Sequence, residues 1–324
     1  MLRKTAVCLC LILLVLPCAA LAQEKSQGLT VSPTTEELSL QPGSRVEATV
    51  KVSNPTNRVI EVYPLAMNFT ARGETGEPAF YPAADTEKKF SLADWVQYDQ
   101  TKIALTPEQV TEWKYKIAVP VDAEPGGHYG VVFFATKPPA EFLTPKQKVD
   151  ISKIGIASMV GTLVLVVVPG AVVESGSIAE FTAPSLMLKP PVNFTVRLEN
   201  TGNVHFKPKG IITAKNTWGS GQSSVSLNPT GGNILPASTR RFEVKWGRNS
   251  FWAPVGRYTA KVRITYGEKE KVLTGTLSFW IIPWWFILAI ILFIALVVGL
   301  VIWLVLRRRK REGQTGRLGQ VYGG

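Results

Sequence analysis

Apolar and polar positions alternate strictly along Arg45-Val-Glu-Ala-Thr-Val-Lys-Val-Ser-Asn54 and again along Val192-Asn-Phe-Thr-Val-Arg-Leu-Glu-Asn200. Period two is the mark of a half-buried β-strand. The second stretch lies 146 residues after the first, and both run into similar turns, Asn54-Pro-Thr-Asn57 and Asn200-Thr-Gly-Asn203. Further along, the offset becomes 129. Trp113, Tyr115 and Ile117 alternate with Glu112, Lys114 and Lys116 after Pro107, as Phe242, Val244 and Trp246 alternate with Arg241, Glu243 and Lys245 after Pro236. Pro125-Gly-Gly-His-Tyr129 matches Pro254-Val-Gly-Arg-Tyr258 at the same offset of 129. Two offsets, each constant over several elements, mean two copies of one domain.

Each copy is a series of short strands broken by Pro, Gly and Asn, with no helix-period segment. About seven strands in about 100 residues predict an immunoglobulin-like β-sandwich. The expected fold is therefore all-β, with one sandwich over residues 23–172 and a second over 173–282. The Pro-x-Gly-x-Tyr element predicts a corner entering the penultimate strand, where Tyr129 and Tyr258 each tie down the preceding turn through the phenol hydroxyl. Copy one carries about 17 extra residues, the difference between the offsets, somewhere in Asn68 to Gln100. Two readings stay open for them. Either they form a recognition loop using Arg72, Glu74, Phe80 and Tyr81, as long loops on rigid sandwiches do, or they form an extra hairpin that caps the core with Phe90 and Trp95. Lys137 to Asp150 is a second loop, whose Phe142-Leu143 pair either anchors a partner or folds back on its own domain. Ile154 to Val168, short, Val-rich and interrupted by Gly155 and Gly161, predicts a central strand closing copy one rather than a membrane span. Val172 to Lys189 is the junction and the first strand of copy two.

The two ends of the chain are hydrophobic in a different way. Phe286 to Leu306 holds no charge and no Pro, and seventeen of its 21 residues are Leu, Ile, Val or Phe. As a helix it is about 30 Å long, one bilayer core. A transmembrane α-helix is expected over residues 283–306. Trp280, Trp284, Trp285 and Trp303 sit where membrane-interface aromatics belong, and Arg307, Arg308, Arg309, Lys310 and Arg311 form a stop-transfer block on the cytoplasmic side. The short basic tail, 307–324, suits anionic lipid of the inner leaflet as well as simple stop-transfer. At the other end, Arg3-Lys4, an apolar stretch from Ala6 to Leu16 and Ala20-Leu21-Ala22 predict a secretory signal over residues 1–22, cut between Ala22 and Gln23. A lipoprotein signal at Cys18 is the rival, and Pro17 fits it badly. The expected topology is a single-pass cell-membrane protein with its ectodomain outside. All three cysteines, Cys8, Cys10 and Cys18, precede the cleavage point, which leaves no disulfide or thiolate chemistry afterwards.

Charge and motifs narrow the function. The formal net charge is +12, but much of the excess is topological, at Arg3-Lys4 and in the tail. Both signs are interspersed along the remainder, which argues against nucleic acid as a partner. The two histidines, His128 and His205, have no metal-ligand spacing, and no nucleophile elbow, P-loop or dinucleotide fingerprint occurs. His128 stands where copy two has Arg257, and His205 reads as a strand-edge or surface residue. The Gly-rich pieces Trp218-Gly-Ser-Gly221 and Thr230-Gly-Gly-Asn233 fall between strands and read as turns. Asn68-Phe-Thr70 and Asn193-Phe-Thr195 match the glycosylation sequon. The expectation is a non-enzymatic protein with no cofactor and no metal.

The order of parts carries a resemblance. A first domain opens on Gly28-Leu-Thr-Val-Ser-Pro33, passes through Pro42-Gly43 and Val52-Ser-Asn-Pro55, and reaches Val119-Pro-Val-Asp-Ala-Glu-Pro-Gly-Gly-His-Tyr-Gly130. A second sandwich with Leu198-Glu-Asn-Thr-Gly-Asn203, one helix and a basic tail follow. This resembles the WxL-interacting cell-surface proteins of bacteria, with a DUF916-type first domain. The resemblance implies peptidoglycan binding by the first domain and binding of host surfaces or secreted surface proteins by the second. Adhesion or scaffolding at the cell wall is the expected role. The alternative is a membrane-bound accessory protein, chaperone-like, that helps exported proteins assemble by strand addition; an unpaired, apolar edge strand in copy one distinguishes it. Copy two ends at Ile282, so it stands almost on the membrane and copy one faces outward.

Overall fold

The computed structural model describes residues 28–82, 88–139, 159–219, 222–248, 250 and 252–318, with side chains as far as Arg308. The signal segment with Ala22 and Gln23, the Phe142-Leu143 pair, and the side chains of Arg309, Lys310 and Arg311 lie outside the described residues. The fold is two tandem immunoglobulin-like sandwiches followed by one apolar helix.

The first sandwich contains β1 (Thr30–Ser32), β2 (Thr35–Ser39), β3 (Arg45–Ser53), β4 (Ile60–Arg72), β5 (Glu77–Tyr81), β6 (Val96–Gln97), β7 (Ile103–Leu105), β8 (Val110–Ala118), β9 (Gly126–Ala135) and β10 (Met159–Val168). One sheet runs β1-β3-β8-β6 and the other β2-β10-β9-β4-β5, with β7 also on β4. The alternation in β3 and β8 becomes packing. Ala48, Val50 and Val52 point inward beside Trp113, Tyr115 and Ile117, and meet Val132, Phe134, Val164 and Val166 of the facing sheet. Burying a side chain of this size stabilises the fold by about 1.5–3 kcal/mol.

Every residue of β9 is buried, so both of its faces are covered. Val132 and Phe134 belong to the core between the sheets. Tyr129, Val131 and Phe133 belong to a second apolar cluster on the outer face, with Met67, Phe69, Leu165 and Leu235. The extra residues of copy one build much of that cover. They form β5, which pairs with β4, and two single-turn 3-10 helices, Lys88–Phe90 and Ala93–Trp95. Phe80 and Phe90 pack on the outer cluster and Trp95 joins the inner core.

The second sandwich contains β11 (Gly176–Thr182), β12 (Leu186–Met187), β13 (Val192–Asn200), β14 (Lys209–Asn216), β15 (Ser223–Leu227), β16 (Ser238–Trp246), β17 (Gly256–Tyr266) and β18 (Lys271–Ile281). Its sheets are β11-β13-β16 and β12-β18-β17-β14-β15. The sequence repeat is visible as equivalent ladders: β3 against β8 in the first sandwich, β13 against β16 in the second. Asn54, just after β3, and Asn200, the last residue of β13, are fully buried. Asn54 donates to the carbonyls of Leu105 and Thr106, and Asn200 to those of Val204 and Ile234.

Two residues after β18, α1 (Trp284–Leu318) begins. Its segment Trp284–Arg308 is long and apolar enough to cross a membrane by length and composition. The helix does not stop at Leu306 but continues through the basic block, whose Arg and Lys residues are good helix formers.

Candidate functional site

The first candidate from the sequence, the segment Arg72 to Pro82, is the tip and second arm of the β4–β5 hairpin, and it bends onto the second domain. Arg72 pairs with Glu77 at the end of the ladder and Tyr81 with Asn68. At the tip, the Glu74 carboxylate accepts from Arg197 Nε at 2.8 Å and from Arg197 Nη2. The Glu74 carbonyl also accepts the Arg241 amide at 2.8 Å. Hydrogen bonding from Arg197 holds the Glu74 carboxyl below its ordinary value. Phe80 is half-buried, with its ring 4.8 Å edge-on from Phe133. Glu74 is engaged by the second domain, and Phe80 is part of the cover over β9.

The two corner tyrosines differ. Tyr258 donates to the Pro254 carbonyl at 2.9 Å, four residues back. Tyr129 does not reach its own turn. Its hydroxyl accepts the His205 amide at 2.9 Å and stands 3.2 Å from His205 Nδ1, across the domain junction. His205 is accordingly half-buried at the junction, and burial pushes its imidazole down to about 4. His128 is buried under Trp95, with its ring nitrogens at the carbonyls of Ser91 and Glu124. Asn68, the first sequon asparagine, is fully buried and accepts the Leu92 and Ala93 amides, which closes it to glycosylation in the fold.

Around Tyr129 and His205 the domains are joined by a polar seam. Asn203 donates to the Pro125 carbonyl at 3.1 Å and its own carbonyl accepts the Gly127 amide at 2.8 Å. Glu37 of β2 accepts from Lys207 at 2.8 Å and from Asn233 at 2.9 Å. Burial raises the Glu37 carboxyl, but those two hydrogen bonds and the Lys207 charge outweigh it and leave it below its ordinary value. Beside the seam lies a cavity of about 350 Å³ walled by Phe69, Leu163, Leu165 and Leu235, with Arg240 at its polar end. The sequence pattern hid this seam because its members, Glu74, Tyr129, Arg197 and His205, come from strands and turns far apart in the chain.

A second feature lies at the start of β10. On one side β10 pairs with β9 over its whole length, Met159 to Val168. On the other side β2 covers only Leu163 to Val167. The chain between β1 and β2 switches sheets there, β1 pairing with β3 instead. From Met159 to Thr162 the outer edge of β10 has no strand neighbour among the described residues. Val160 faces the inter-sheet core and Met159 the outer cluster, both half-buried, while Thr162 is fully buried and its hydroxyl donates to the Pro33 carbonyl at 2.7 Å.

Trp280, Trp284 and Trp303 are exposed along β18 and α1, and Arg307 stacks over the Trp303 ring at 5.1 Å. Trp285 packs on Trp252, ring centroids 5.6 Å apart. Among the described residues, no group of three or more His, Cys, Asp or Glu side chains is placed to hold a metal ion.

No family model matches the sequence, and no curated protein matches it. Solved structures with related outlines include a chain of the chaperone–tip adhesin complex of CFA/I fimbriae, at 15% identity and a TM-score of 0.38, covering 79% of this chain and 99% of that one. The class 5 fimbriae chaperone CfaA is similar at 15% identity and a TM-score of 0.38, covering 77% of this chain and 98% of its own. The Salmonella enterica complex of SafA pilin with the SafB chaperone follows at 13% identity and a TM-score of 0.33, covering 77% and 96%.

Proposed function

We propose that the ectodomain captures an extended segment of another exported protein by adding it as a strand along β10, and so acts as a membrane-tethered assembly helper. The observation that supports this is the outer edge of β10 from Met159 to Thr162, which has no strand neighbour among the described residues, beside the point where the chain leaves one sheet for the other. An edge with free backbone donors and acceptors is a template for strand addition. Half-buried Val160 offers the incoming strand an apolar neighbour. α1 is long and apolar enough to serve as the tether, and the basic block at Arg307 and Arg308 supports an orientation with the sandwiches on the extracytoplasmic side. Peptidoglycan binding, which the resemblance to the WxL-interacting proteins implies, needs a surface other than the Arg72 to Pro82 segment, since Arg197 and Arg241 occupy its tip.

The test uses the full-length protein in nanodiscs, challenged with apolar extended peptides from exported proteins of the same cell and, separately, with purified peptidoglycan. Hydrogen exchange is read peptide by peptide. Capture with new protection of the Met159–Thr162 amides is the expected result. Binding without protection there, or retention by peptidoglycan alone, defeats the strand-addition reading.

A further inference from the structure

The end of the second sandwich nearest α1 is unusually aromatic. Trp218, in the turn after β14, is 82% exposed, and Trp252, between β16 and β17, is 72% exposed. Leu186, Leu188 and Trp280 are exposed as well. The ladder registers put all of these at one end. Leu186 pairs with Trp280 and Gly256 with Ile281, while the Thr217 amide donates to the Arg257 carbonyl and Trp252 packs on Trp285 in the first turn of α1. Lone exposed apolar residues are ordinary on a protein surface, but a clustered set marks a contact face.

The charge at this end is one-sided. The segments Leu186–Val192, Lys215–Gln222 and Trp246–Arg257 contain no Asp or Glu, but hold Lys189, Lys215, Arg248 and Arg257. At the opposite end of the β17–β18 hairpin both signs are mixed, Glu268 and Glu270 alternating with Lys269 and Lys271. An aromatic and leucine rim, basic at its margin and continuous with an apolar helix, is the composition of a membrane–water interface. We infer that Trp218, Trp252 and Leu188 dip into the outer leaflet around the root of α1, so that the second sandwich is seated on the bilayer and prefers anionic headgroups. This rests on the reading of α1 as a membrane span. It adds three residues from separate segments, of which the sequence pattern reads only Trp218 as part of a turn, and it holds the ectodomain at a fixed tilt rather than leaving it to pivot at Ile282 and Pro283.

The test reconstitutes the full-length chain in bilayers of zwitterionic and anionic lipid carrying a photoactivatable group near the headgroup, and maps lipid adducts by mass spectrometry. Adducts on α1 together with the Trp218 and Trp252 loops, and none on the Gly267–Glu270 turn, are expected. A Trp218→Ser/Trp252→Ser variant then loses its loop adducts several-fold while those on α1 persist. Adducts on α1 alone overturn the seating and leave the span intact; absence of adducts from α1 overturns the span itself. A loop yield unchanged in purely zwitterionic lipid overturns the preference for anionic headgroups.

Discussion

Glu74 and Arg197, 123 residues apart in the chain, meet across the domain junction through two hydrogen bonds from one guanidinium to one carboxylate. Arg197 also reaches Glu180 at 3.2 Å, so the guanidinium is held from both sides. Paired geometry of this kind orients as well as attracts. Reversing either charge alone, Glu74→Arg or Arg197→Glu, is expected to speed amide exchange across Arg72–Tyr81, because the hairpin tip loses its anchor. The double reversal restores protection, and added salt narrows the difference because both side chains are partly exposed. Equal exchange in all four proteins shows that the hairpin is held by its apolar base instead.

The junction also titrates. Around His205 stand the Tyr129 hydroxyl, the Glu37 carboxylate and the Lys207 ammonium. Burial disfavours the imidazolium and Lys207 repels it, against the opposing pull of Glu37, so the folded-state value falls from 6.5 to about 4. A depressed histidine means that the unfolded chain takes up the proton first. The contribution of neutral His205 is therefore complete above pH 6.5 and is lost as pH falls towards 4. Allowing for partial exposure of the ring, the loss is on the order of 2 kcal/mol. His205→Asn is expected to flatten the stability profile between those limits in urea titrations. A variant whose profile keeps the wild-type slope there assigns the acid sensitivity to the carboxylates.

Asn54 and Asn200 hold the turns that the repeat made visible. The amide of Asn54 donates to three carbonyls, those of Arg58, Leu105 and Thr106, and its oxygen accepts the Thr56 amide at 3.1 Å. The amide of Asn200 donates to the carbonyls of Val204 and Ile234, and its oxygen accepts the Gly202 amide at 2.9 Å. Asn54→Ala and Asn200→Ala each leave several buried groups without partners, at a cost of about 1–3 kcal/mol apiece before relaxation. Calorimetry is expected to show a lowered unfolding midpoint in each, with Asn54→Ala acting on the first sandwich and Asn200→Ala on the second. Near-neutral effects remove these asparagines from the account of the turns.

Much of this architecture could be read from the chain. Period-two alternation placed Val50, Trp113, Phe194 and Val244 in the cores, since alternation along a strand is a local property that the pleat converts directly into burial. The apolar run after Ile282 marked the helix for the same reason. The domain junction was not legible. Tyr129 sits in a motif whose other copy, at Tyr258, makes a local corner, and the sequence does not distinguish a hydroxyl that turns inward from one that reaches another domain. Glu74 lay in a segment rich in Gly and charge, the composition of a free loop, and only the position of Arg197 on β13 reveals it as a docked tip. The short uncovered edge of β10 depends on where β2 begins, which the apolar pattern of Ile154 to Val168 does not encode.

The two tyrosines give a contrast that separates local from interdomain roles. Tyr258→Phe removes a bond to a carbonyl four residues back, so its effect, about 1 kcal/mol, belongs to the second sandwich alone. Tyr129→Phe removes the acceptor of the His205 amide, so that amide is expected to lose exchange protection although it lies in the other domain. Gly127 sharpens the comparison. A Cβ built there meets the Tyr129 hydroxyl at 1.8 Å, well inside contact distance. Gly127→Ala therefore has to push the phenol away, and is expected to expose the His205 amide as Tyr129→Phe does while destabilising the first sandwich further through displaced packing. Tyr258→Phe, by contrast, leaves His205 protected. If Tyr258→Phe exposes that amide as strongly as Tyr129→Phe, the junction responds to the stability of the second domain in general and not to the hydroxyl that spans it.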